Sequence, residues 1–69
     1  MKITYDPDVD AMTIQFQKGK YEVSREMMDG IIVDYTSEGK ILSIEILDVS
    51  KRMPAKTLGD ITLSVPVAT

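Results

Sequence analysis

Apolar and polar residues alternate with a period of two along much of the chain. Ile3 and Tyr5 alternate with Lys2, Thr4 and Asp6, and Met12, Ile14 and Phe16 alternate with Thr13, Gln15 and Gln17. Such a period puts every second side chain on one side of an extended backbone, so both segments read as strands with one apolar face. Asp6-Pro7-Asp8 between them carries turn chemistry, because Pro7 fixes φ and the aspartates can accept from nearby amides. The two strands are expected to form a hairpin across Asp6–Asp10. Lys18-Gly19-Lys20 is the next turn, and Tyr21 and Val23 open a third short strand. Arg25-Glu26-Met27-Met28 fits a helical turn or a loop, and Asp29-Gly30 then breaks the chain.

Ile31 to Tyr35 is dense in β-branched residues, and Lys40 to Leu47 follows after the turn Thr36-Ser37-Glu38-Gly39. A four-residue loop pairs Tyr35 with Lys40, Val33 with Leu42 and Ile31 with Ile44. One face then carries Ile31, Val33, Tyr35, Leu42, Ile44 and Ile46, and the other Ile32, Asp34, Ile41, Ser43 and Glu45. The clean segregation favours this register, because a slip of one residue would mix the faces. A three-residue loop with a glycine bulge is the alternative. Asp48 or Ser50 can cap a short helical turn through Val49, Lys51, Arg52 and Met53, which Pro54 ends. Ala55 to Gly59 is a connection. Ile61, Leu63, Val65 and Val67 alternate with polar residues in a last strand, which Pro66 restricts to an edge.

The fold class that follows is all-β or mainly β: five to six short antiparallel strands in a twisted meander or partly open barrel, with one short helical turn near Ser50. Sixty-nine residues allow one domain, 1–69, with a thin core. The chain has no cysteine, which excludes disulfides and thiolate metal sites. It also has no histidine, the usual base near neutral pH and the commonest transition-metal ligand. Self-association is the remaining support for so thin a core, so a homodimer or higher oligomer is expected. Eight basic and eleven acidic residues give a net charge of −3, with no basic patch, and this disfavours direct nucleic-acid binding. No apolar stretch is long enough for a membrane span, and the start is not a signal peptide, so a cytoplasmic location is expected.

The ordered pieces Lys2-Ile3-Thr4-Tyr5-Asp6, Asp10-Ala11-Met12-Thr13-Ile14, Asp29 to Tyr35, Gly39-Lys40-Ile41 and Ile44 to Ser50 resemble the small prokaryotic family catalogued as domain of unknown function 2283. The resemblance covers roughly 1–52 and leaves 53–69 as a C-terminal connection and edge strand read from pattern alone. It implies short stand-alone proteins, some encoded beside small toxin-like proteins, and hence an antitoxin-like or partner-binding role. It carries over no catalytic residue.

Candidate chemistry is sparse. Asp6, Asp8 and Asp10 have the spacing that opens a calcium-binding loop, but Ala11 and Gln17 stand where that loop needs glycine and glutamate. An acidic hairpin turn is the plainer reading, and a small-ligand or cation site in that turn is the alternative function. Asp34 and Glu45 are carboxylates on the main hairpin. In the register above, Glu45 lies four strand positions beyond the residue opposite Asp34, roughly 13 Å away by strand rise and too far for an acid–base pair. The serines have no histidine to activate them. No catalytic group, cofactor or metal is therefore expected. The expected interface side chains are Ile32 and Ile41, apolar on the polar face of the main hairpin, with Asp34 and Glu45 beside them and Met27 and Met28 as an adaptable contact surface. The leading expectation is a non-catalytic interaction protein that binds itself or a small protein partner.

Overall fold

A computed structural model describes residues 1–65. They form five antiparallel strands in one open sheet: β1 (Lys2–Asp6), β2 (Ala11–Gln15), β3 (Val23–Met28), β4 (Ile31–Tyr35) and β5 (Ile41–Ile46). The spatial order is β1-β2-β5-β4-β3. β3, β4 and β5 run as a meander, while β5 pairs on its other side with β2, so that the first hairpin joins the sheet through its second strand. The connection 16–22 crosses the end of β5 to reach β3. It is held by backbone bonds from Phe16 N–H to the Leu42 carbonyl (2.8 Å) and from Glu22 N–H to the Tyr35 carbonyl (3.0 Å). The segment Arg25 to Met28, open between helix and loop in the sequence, is extended. β4 offers it a complete ladder, and a bulge between Glu26 and Met28 absorbs one residue.

The main hairpin differs from the expected register. Tyr35 faces Ile41, and Thr36 N–H bonds the Lys40 carbonyl at 2.9 Å, so the turn is the three-residue alternative. Gly39 occupies the left-handed region at φ 85°, which a residue with a Cβ adopts at a cost. A second irregularity follows immediately, because Asp34 faces Ser43 and leaves Leu42 as the extra residue of a bulge. The shorter turn slips the register by one, and the bulge slips it by one more. Below the bulge the two slips restore the expected faces, with Val33 opposite Ile44 and Asp34 opposite Ser43. Above it they exchange two side chains: Ile41 joins the face of Tyr35, and Leu42 joins the face of Asp34.

Ile32 and Ile41 therefore do not share a face, and the apolar patch expected from that pair does not exist. Ile32 is half-buried on the polar face, while Ile41 is exposed on the apolar one. Leu42 is buried because the 16–22 connection lies over it. A Cβ on Gly19 would stand 2.7 Å from Leu42 Cδ2, so a larger residue there would have to push the Leu42 side chain aside.

The apolar face carries Ile3, Tyr5, Met12, Ile14, Ile31, Val33, Ile44 and Ile46. Only Met12 and Val33 among them are fully buried. α1 (Val49–Arg52) follows β5, with Asp48 at its start in the left-handed region and making no side-chain cap. Pro54 ends this turn, and residues Ala55–Gly59 wind into a 3-10 helix where a plain connection is expected. The expected last strand does not form over 61–65, which are exposed and outside the ladder; Pro66 and Val67 lie outside the described residues. The outline measures 38 × 35 × 19 Å, with a radius of gyration of 13.6 Å. A globular chain of this length has about 11 Å. The protomer is a thin slab.

Candidate functional site

Two side-chain groups and one surface stand out, each made by the register just described. The first group lies on the polar face. Asp34 on β4 is buried, with its carboxylate between two serines of the flanking strands. Ser24 Oγ on β3 donates to Asp34 Oδ1, and Ser43 Oγ on β5 donates to Oδ2 at 2.6 Å. The Tyr21 hydroxyl lies 3.0 Å from Ser24 Oγ. Glu45 stands diagonally beyond Ser43 on the same face. Gln15, Gln17 and Leu42 complete the wall of an open hollow of about 400 Å³ above these carboxyls.

The separation of roughly 13 Å expected for Asp34 and Glu45 from strand rise is thus wrong. The two-residue shift in register turns them into diagonal neighbours. Burial raises the Asp34 pKa, but donation from Ser24, Ser43 and Glu45 outweighs it, and the net shift is downward. Glu45 moves the other way, first because it hydrogen-bonds Asp34, then through burial and the neighbouring negative charge. Each Asp34 carboxylate oxygen accepts from one serine hydroxyl, and Glu45, half-buried, lines the same hollow.

The signs give a pH dependence. Asp34, with its folded pKa lowered, contributes stability above its ordinary value of 3.8 and loses it as pH falls through the folded value. Glu45, with its folded pKa raised, contributes below its ordinary value of 4.5 and loses that contribution as pH rises through the folded value. Glu45→Gln keeps a donor toward Asp34 but has no charge to develop. The variant should lack the parent's loss of stability above that pH, and at neutral pH it should be more stable by roughly 0.5–1 kcal/mol, the scale of a like-charge cross-strand pair. Urea melts of both proteins across pH test this. Parallel curves at all pH values would mean that Glu45 is not held against Asp34.

The second group lies at the opposite end of the sheet. Asp10, in the β1–β2 turn at φ 53°, accepts from the Tyr5 hydroxyl (2.7 Å), the Ser50 hydroxyl (2.7 Å) and the Ser50 N–H. Ser50 first, then Tyr5, holds the Asp10 carboxyl below its ordinary range. In return the hydrogen bond to Asp10 raises the Tyr5 pKa. From the same short helix Arg52 reaches the other way, donating through Nε to the Leu47 carbonyl (2.8 Å) and through Nη2 to the Asp29 carbonyl. Gly30 beside it has φ 79° and no room for a Cβ under the Arg52 guanidinium. One helical turn thus ties the β1–β2 turn to the β3–β4 turn, and Val49 at its centre is fully buried.

This latch also settles the geometry of the acidic turn. Asp6 accepts from the Asp8 N–H at 2.9 Å, and Asp10 is turned away toward Ser50, so the three carboxylates do not converge. Among the described residues, no group of three His, Cys, Asp or Glu side chains is placed to hold a metal ion. Sequence reasoning missed the Tyr5–Asp10–Ser50 contact, since forty residues separate Asp10 from Ser50 and no local pattern links them.

The surface is the upper part of the apolar face. Val23, Tyr35 and Ile41 lie side by side across β3, β4 and β5, with Val23 44% and Ile41 43% exposed. Met27 and Met28 on the β3 edge are also exposed, with Met27 Sδ 3.9 Å from the Tyr35 hydroxyl. Of the expected interface residues, then, Ile41, Met27 and Met28 are exposed, Asp34 is buried, and Ile32 and Glu45 are half-buried on the polar face.

No helix among the described residues is long and apolar enough to cross a membrane. No curated protein and no solved structure matches the chain. A family model described as a protein of unknown function, DUF2283, matches residues 2–50. That span holds all five strands, the carboxyl pair and the Tyr5–Asp10–Ser50 latch, and it stops before the 3-10 helix. The match takes in most of the 69 residues, and the chain belongs to the DUF2283 family.

Proposed function

We propose that the protein is a non-catalytic interaction protein that works as a self-associated oligomer, with the apolar face of its sheet as the contact. The observation that carries this reading is the half-covered face, on which Ile3, Ile14, Ile31, Ile44 and Ile46 all keep part of their surface in water. A sheet buried on one side normally hides that side under a second layer. Here the short helix occupies one end only, and Val23, Tyr35 and Ile41 extend the apolar area into the open. The slab's 38 × 35 Å extent leaves room for the ~800 Å² that each partner buries in a stable complex. A second copy offers the same face in self-complementary form, the commonest arrangement of small oligomers. A cytoplasmic setting belongs to this reading. An antitoxin-like role, engaging a small toxin-like protein, is its sharper form and rests on the family resemblance alone.

Ile41→Glu tests the contact without opening the buried core, because Ile41 is an exposed side chain, 43% accessible. The variant should fold with the parent's circular dichroism and dissociate at about tenfold higher concentration, equivalent to ~1.4 kcal/mol of association. Size-exclusion chromatography with light scattering reads the mass of each. An Ile41→Glu protein that associates as tightly as the parent would remove this face from the contact.

A further inference from the structure

The segment Asp60 to Val65 has the pattern of a strand and none of the pairing. Ile61, Leu63 and Val65 alternate with Asp60, Thr62 and Ser64, yet the three apolar side chains are 55%, 74% and 74% exposed. Among the described residues, no backbone bond joins this segment to any strand, and its last turn-like bond runs from Asp60 N–H to the Thr57 carbonyl. β3, at one edge of the sheet, has the complementary deficit. Its outer backbone groups have no neighbouring strand, all six of its residues are exposed, and three of them are Val23, Met27 and Met28. An unpaired edge of this kind is a template for another strand.

We infer that residues 60–65 of one copy add as a sixth strand to the β3 edge of a second copy. The inference rests on the self-association proposed above and names the element that exchanges. The fit is one of length and of faces. Six residues span roughly 20 Å as a strand, matching the six of β3. With Ile61, Leu63 and Val65 on the apolar face, they lie beside the row Val23, Arg25 and Met27, the apolar side chains also meeting the aliphatic stem of Arg25, and Thr62 and Ser64 fall beside Ser24 and Glu26 on the polar face. The chain's own β3 does not take the segment, and a second copy presents the same free edge. The exchange is reciprocal, so a two-fold dimer uses it twice.

The full-length chain with Ile61→Asp and Leu63→Asp tests the exchange, since these side chains lie outside the protomer's core. The double variant should keep the parent's melting behaviour when dilute and show a dimer dissociation constant raised about tenfold or more. A second measurement uses the absence of natural cysteine. Chains carrying Leu63→Cys are mixed with chains carrying Val23→Cys or Met27→Cys and mildly oxidised, and peptide mass spectrometry then looks for the mixed disulfide. Its formation in at least one mixture is the expected result. A parent dimer that the double aspartate variant leaves unchanged, or that gives neither mixed disulfide, overturns the strand exchange while leaving self-association standing. A parent that is monomeric overturns both.

Discussion

Asp34→Ala should cost about 2–4 kcal/mol and bring the protein close to unfolding at room temperature. The alanine removes the acceptor shared by Ser24 and Ser43 and leaves both hydroxyls without it at a partly buried site. A buried polar group left unsatisfied costs about 1–3 kcal/mol, and water reaching the site through the open hollow keeps the total below the simple sum. A domain of this size has only ~3–5 kcal/mol to lose. Chemical denaturation measures the effect. The paired substitution Ser24→Ala with Ser43→Ala should soften it, because it removes both stranded donors together with their acceptor. A change under ~0.5 kcal/mol for Asp34→Ala would mean that the network on the polar face does not hold β3, β4 and β5 together.

Val49→Ala should cost about 2 kcal/mol by a different route. Among the described residues, Val49 is the one side chain with no exposure at all, and it anchors a helical turn too short to persist alone. Deleting its methyl groups loses their transfer energy and leaves a cavity between the turn and the sheet. The loss should be accompanied by faster amide exchange at Ser50 and in the β1–β2 turn, since Asp10 reaches Ser50 only while the turn is docked. Unfolding melts and hydrogen exchange check both parts. A stable Val49→Ala protein with unchanged protection at Ser50 would show that the latch does not depend on its buried centre.

Most strands were legible because their side chains alternate, while Arg25 to Met28, which does not alternate, was not; all three hairpins turn at residues with turn chemistry. Register was less legible. Two one-residue shifts, one at the Gly39 turn and one at the Leu42 bulge, add to two, which restores the faces over most of the hairpin while moving every pair. A face-segregation argument therefore assigns the lower half's faces correctly and still misplaces its pairs; the three-residue turn was the alternative, and the bulge has no local signal. Leu42 is the informative residue. As a buried leucine it looks like a member of the apolar face, but its cover is the backbone at Gly19, a contact no local pattern reveals. The carboxyl pair was lost by the same route, since Asp34 and Glu45 become neighbours only after the second shift. The latch joins Tyr5, Asp10, Ser50 and Arg52 from parts of the chain far apart in sequence, so no local pattern announces it. The C-terminal alternation is present as expected over Ile61 to Val65, while pairing is set by which edge is available rather than by the pattern itself.

Sedimentation equilibrium of the unmodified chain, from low micromolar to near-millimolar concentration, tests most directly whether a second copy covers the sheet. The expected result is a reversible transition to twice the chain mass within that range. A single species of one chain mass throughout, with the fold intact, would mean that the apolar face stays in water and that no docking surface is needed to explain it.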